Sequence, residues 1–127
     1  MLTEDYVSFE TAKLLKEKGF DKNTEHEIWY VIKQFSPGCQ WNCCTYKVGD
    51  TTREYDNKCC IPKPTLQMAM KWLREVHNLH IVVFYYDNSA FPYIWYIFAH
   101  NGDKPHKANS YEEACEAAIK YCLENLV

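Results

Sequence analysis

Ile81-Val82-Val83-Phe84-Tyr85-Tyr86-Asp87 and Tyr93-Ile94-Trp95-Tyr96-Ile97-Phe98-Ala99-His100, separated by Asn88-Ser89-Ala90-Phe91-Pro92, decide how this chain is read. Both runs are β-branched and aromatic, a composition suited to a pleated, half-buried surface. The polar, proline-bearing link predicts an antiparallel hairpin with a longer loop. Ser110-Tyr111-Glu112-Glu113 follows as a capping box, in which the serine hydroxyl and the glutamate three residues on satisfy backbone N–H groups reciprocally. It opens a helix to about Leu126, with Cys115, Ala118, Ile119, Cys122 and Leu126 as its expected buried stripe.

The preceding half follows a similar plan. Ser8 and Gly19 bracket a helix from Phe9 to Lys18, with Phe9, Ala12 and Leu15 at helical spacing. Glu25 to Phe35 reads as a strand ending at the turn Ser36-Pro37-Gly38, and Gln40 to Lys47 returns antiparallel to it. Gly49-Asp50 marks another turn, with a short strand near Thr52 to Tyr55. Pro62 and Pro64 are expected to end the sheet segment, and Thr65 to cap a second helix with Leu66, Ala69, Met70, Leu73 and Val76 on one stripe, widened by Met68 and Trp72. The order is α-β-β-(β)-α-β-β-α. It predicts a single α+β domain over residues 1–127, with an antiparallel four- to five-stranded sheet and three helices mainly on one face.

Composition narrows the function. The 127 residues are 47% hydrophobic and 24% charged, the balance of a folded domain rather than a disordered tail. A formal charge of −3 has the wrong sign for a protein that holds phosphate backbones, so nucleic acid is disfavoured as a partner. Acidic residues at Glu4 and Asp5 stand where a secretory leader would be basic, and Ile81 to Tyr86 and Tyr93 to Ala99 fall short of the ~20 apolar residues a membrane helix needs. The expectation is a cytoplasmic chain without membrane contact.

Seven cysteines, an odd number, point to reduced thiols. Cys39, Cys43, Cys44, Cys59 and Cys60, with His77 or His80, compose a zinc alternative, but paired CxxC knuckles are absent and small buried thiols are the preferred reading. No metal or cofactor is expected. Cys115 and Cys122 sit seven apart on an apolar helix stripe, where a thiol is inert, and Glu112, Glu113, Glu116 and Glu124 read as a solvated helix face. No phosphate-binding loop, dinucleotide fingerprint or HExxH motif is present.

The informative feature is the aromatic excess of the strands, 16% of the chain overall. Aromatics alternate onto both sheet faces, helices cover one, and the other is left as a second core layer or a contact surface. Trp29, Tyr86 and Trp95, with Lys33 at the edge, are the expected partner-binding residues of that far face.

Thr3 to Asp21, Pro64 to Glu75 and Ser110 to Leu126 together resemble a family of small uncharacterised proteins encoded by gut Bacteroidales and their phages or mobile elements. The likeness covers all three helices and omits the strands. It implies a bacterial or phage setting and carries no catalytic residues. The functional expectation is a non-enzymatic interaction or regulatory accessory protein that binds a protein partner or a second copy. A ligand binder or enzyme with a helix–sheet pocket, at His77, His80 or a cysteine, and a single-stranded nucleic-acid binder stand as alternatives.

Overall fold

Short hydroxyl side chains set the helix starts. The computed structural model describes residues 2–20, 28–31, 44–47, 60–100 and 104–127. Helix α1 (Phe9–Glu17) opens at Ser8, whose hydroxyl accepts from the Thr11 N–H. Helix α2 (Leu66–His77) opens at Thr65, which accepts from Met68, and α3 (Tyr111–Asn125) at Ser110, which accepts from Glu113. The Glu113 carboxylate accepts the Asn109 N–H at 3.2 Å, one residue before the capping serine, so the reciprocal bond lands off the expected position. α1 stops at Gly19, φ 95°, as its place in the sequence predicts. α2 stops at Asn78 in the left-handed region, and the N–H groups of Asn78 and Leu79 both reach the Leu73 carbonyl.

The strands are β1 (Ile28–Val31), β2 (Cys44–Lys47), β3 (Cys60–Pro62), β4 (Ile81–Tyr85), β5 (Tyr93–Ile97) and β6 (His106–Ala108). With the three helices of the described residues they make an α+β fold. Among the described residues they form two three-stranded antiparallel sheets, ordered β2-β1-β3 and β4-β5-β6, where one sheet of four to five strands was expected. Two strands account for the difference. β3, not itself foreseen as a strand, ends at Pro62 as expected, and it lies at a sheet edge, where a residue with no N–H to give is tolerated. β6 follows a run of turn residues and carries only His, Lys and Ala, so its pairing with β5, not its own propensity, makes it a strand. The strand expected near Thr52 to Tyr55 and the turns at Ser36-Pro37-Gly38 and Gly49-Asp50 lie outside the described residues.

α3 is the hub. It packs on all three strands of the second sheet and against α1 and α2, while α1 also meets β3. Ala114, Cys115, Ala118, Ile119, Cys122 and Leu123 are fully buried along it, and the small Ala and Cys side chains let its neighbours approach closely. On α2 the buried residues are Leu66, Ala69, Trp72 and Leu73, whereas Met68 and Val76, both expected on the apolar stripe, are exposed. Trp72, expected on that widened face, is buried there and meets Phe20 edge-on at 5.5 Å between ring centroids.

Glu116 joins α3 to α1. Its Oε1 accepts from the Ser8 N–H at 3.0 Å and from the hydroxyl of fully buried Thr11 at 2.7 Å, so this carboxylate is a cap for a neighbouring helix and not part of a merely solvated face.

Candidate interaction surface

Register decides which aromatics share a face. Val83 lies opposite Trp95 and Phe84 opposite Ile94, and across the next ladder Trp95 lies opposite His106 and Ile94 opposite Lys107. Side chains alternate along a strand. One face therefore carries Ile81, Val83, Tyr85, Tyr93, Trp95, Ile97, His106 and Ala108, and the other Val82, Phe84, Ile94, Tyr96 and Lys107, extended by Tyr86 and Phe98.

α3 closes the first face over Tyr93, Trp95 and Ile97 and leaves Tyr85, at its end, 55% exposed. Trp95 stacks on His106 with ring centroids 4.2 Å apart and planes 14° apart, and Tyr121 of α3 covers Trp95 at 5.9 Å. Tyr111 meets Tyr93 at 6.1 Å. The second face carries its own aromatic contacts: Phe84 meets Tyr86 and Tyr96 edge-on, each at 6.5 Å. Phe84 is 41% exposed, Tyr86 63% and Phe98 58%. Ile94 lies low in the pleat between Phe84 and Lys107, buried yet outside the core cluster.

Local backbone supports this outer face at both ends. The Phe98 N–H donates to the His80 carbonyl at 2.9 Å, extending the ladder past β5, and His100 N–H closes a turn on Ile97 at 3.1 Å. At the other end Tyr86 N–H donates to Pro92 at 2.7 Å. Asp87 sits beside it. Its carboxyl is held below the usual range by hydrogen bonds from the Ser89 hydroxyl and N–H, with a smaller contribution from Lys107. Strands β4, β5 and β6 contain no carboxylate.

Of the expected site residues, Tyr86 belongs to this outer face. Trp95 does not: it is 6% exposed and covered by α3, which corrects its far-face placement. Trp29 lies in β1, the middle strand of the other sheet, opposite Tyr46 and Pro62, and Lys33 lies outside the described residues. Phe84, Tyr96 and Phe98 are the outer-face aromatics that composition alone did not separate from their neighbours. The parity of the hairpin register is the signal that separates them.

Candidate chemistry elsewhere takes structural roles. Cys115 and Cys122 are free and fully buried. Burial pushes the Cys122 thiol up to about 12 and raises Cys115 too, against a partly offsetting hydrogen bond with Tyr111, so neither is poised as a thiolate nucleophile. Among the described residues no three metal-ligating side chains gather. Cys39, Cys43 and Cys59 lie outside those residues, and Cys44 and Cys60 fall on either side of Val31 in one register row. His80 is exposed, 3.1 Å from the Asn78 side-chain oxygen, and His77 packs edge-on against Trp72 at 4.6 Å. An open groove of about 400 Å³ runs beside Asp5, Lys63, Glu112 and Glu116. The Lys63 ammonium sits 4.9 Å over the Tyr6 ring there.

No helix of the described residues is long and apolar enough to cross a membrane. Comparison of the chain with protein-family models, with curated proteins and with solved structures finds no match.

Proposed function

We propose that this chain is a non-enzymatic interaction protein, a cytoplasmic accessory or regulatory factor whose outer β4-β5-β6 face binds another protein surface. One observation carries the reading. The sheet has two apolar faces, α3 covers one, and Phe84, Tyr86 and Phe98 remain exposed on the other. A contiguous aromatic patch in water is unfavourable unless a partner removes it, which is why such patches mark contact sites. The likeness of the three helical segments to proteins of gut Bacteroidales and their phages supplies the bacterial or phage setting.

The competing readings have less support. Stacking of single-stranded nucleic acid needs cations beside the aromatics, and Lys107 is the sole charged residue that the register places on this face. A pocket enzyme would need a poised nucleophile or base, whereas the Cys115 and Cys122 thiols are buried and held in the neutral form.

Photo-crosslinking tests the proposal. With p-benzoylphenylalanine in place of Phe84, irradiation of cells expressing the chain is expected to yield protein adducts. The same group in place of Ala117, exposed on α3, should yield none. Equal adduct formation at the two positions, or none at either, overturns the reading.

A further inference from the structure

The occupant of this face is open to a physical choice among a helix, an extended peptide, a polyanion and another sheet. We infer that it is a second copy of the same chain, packed sheet to sheet so that two outer faces form one aromatic layer between two α3 helices. This inference rests on the proposal that the outer face is a protein contact.

Shape argues first. The face is a pleated surface three strands wide, with Ile94 low between Phe84 and Lys107, and the pleat of another twisted sheet fits such a surface at about 10 Å separation. A helix seats in a groove, and the groove beside Lys63 and Glu116 is on a different part of the molecule, while an extended peptide would add to a sheet edge rather than lie on this face. Charge argues second. The chain carries −3, so two copies repel over much of their surface, but β4, β5 and β6 hold no acid. Lys107 and the neighbouring Asp87 balance at the rim, leaving a surface with no net formal charge that its own copy can approach.

Area argues third, and it sets the strength. Aromatic side chains of roughly 200 Å² each that are 41%, 63% and 58% exposed contribute roughly 300 Å² per copy. With Val82, Tyr96 and Lys107 beside them, two copies approach a total of roughly 1,000 Å², the lower bound of a specific interface. An interface of this small size class is reversible and concentration-dependent, and the dimer is expected to form within the micromolar range.

Sedimentation of the purified full chain, from about 1 to 300 µM, tests this range. Self-association to dimer is expected, weakened about tenfold or more by Phe84→Asp and by Phe98→Asp, with each dilute variant still unfolding in one cooperative transition. Purified protein carrying p-benzoylphenylalanine in place of Phe98 should cross-link copy to copy, with the adduct mapping between Val82 and Phe98. A monomer throughout that range overturns the inference, as does a dimer indifferent to both substitutions. If the purified chain is monomeric while Phe84-position adducts to other proteins form in cells, the second-copy inference fails and the interaction reading survives. If neither forms, both fail.

Discussion

The inner and outer faces of the β4-β5-β6 sheet are made of the same residue types, yet Trp95 on one is buried and Phe84 on the other is exposed. Intrinsic hydrophobicity does not separate them, since each face carries aliphatic and aromatic side chains in alternation. What separates them is α3, which brings a stripe of Ala and Cys onto Trp95, Tyr93 and their neighbours. A large side chain is core or surface according to what lies above it, and two residues adjacent in sequence, buried Ile97 and exposed Phe98, take opposite fates for that reason.

The sharpest way to break this comparison is truncation on both faces. Trp95→Ala removes an indole packed against His106 and Tyr121 and should cost ~3–5 kcal/mol in urea-monitored unfolding. Phe98→Ala, measured dilute, should cost less than ~1 kcal/mol. Similar losses for the two variants would mean that the outer face is also core.

Alkaline titration tests how tightly α3 closes the inner side. Folded Cys122 keeps its proton to about pH 12, whereas an unfolded thiol releases it near its ordinary value of 9.0. The folded state therefore binds more protons in that window. Stability is intact below about pH 9 and falls as pH rises, by at most about 1.4 kcal/mol per pH unit from this group. Cys122→Ser, which cannot ionise there, should flatten the alkaline slope relative to the parent, with other titrating groups common to both chains. An unchanged slope would show that water already reaches the thiol.

The opposite side of α3 offers a smaller effect. Glu116→Ala leaves the buried Thr11 hydroxyl and the Ser8 N–H without their carboxylate acceptor and should cost ~1–3 kcal/mol. The loss should appear as faster amide exchange in α1, with β5 amides protected as before, and equal acceleration in β5 would mean that α1 and the inner face form one cooperative unit. Smallest of all is Lys120→Ala. Its exposed contacts to Glu10 at 3.3 Å and Glu124 at 4.0 Å are worth ~0–1 kcal/mol, and a larger loss would assign the α1–α3 seam to charge rather than packing.

Much of the local structure is legible in residue order. Ser8, Thr65 and Ser110 cap where a hydroxyl before an apolar-periodic run should, Gly19 ends α1, and Cys115, Ala118, Ile119 and Cys122 form the buried stripe their spacing requires. The surface was legible only as a quantity, more strand aromatics than one helix layer can cover. Its membership was not, because the link between Tyr85 and Tyr93 is too long to dictate a register. Had Phe84 rather than Val83 stood opposite Trp95, the indole would share a face with Phe84 and Tyr86.

Residue order by itself therefore determined the α+β class, the three helix starts and the apolar stripe of α3, because caps and periodicity are interactions among residues a few positions apart. Tertiary structure decided that the strands form two sheets, that His106–Ala108 is a strand, that Glu116 caps a distant helix, and that Trp95 lies inside while Phe84 and Tyr86 lie outside. Each of these depends on partners far along the chain, and a one-residue change of register or a helix on the other face would reverse it with no change in any local preference.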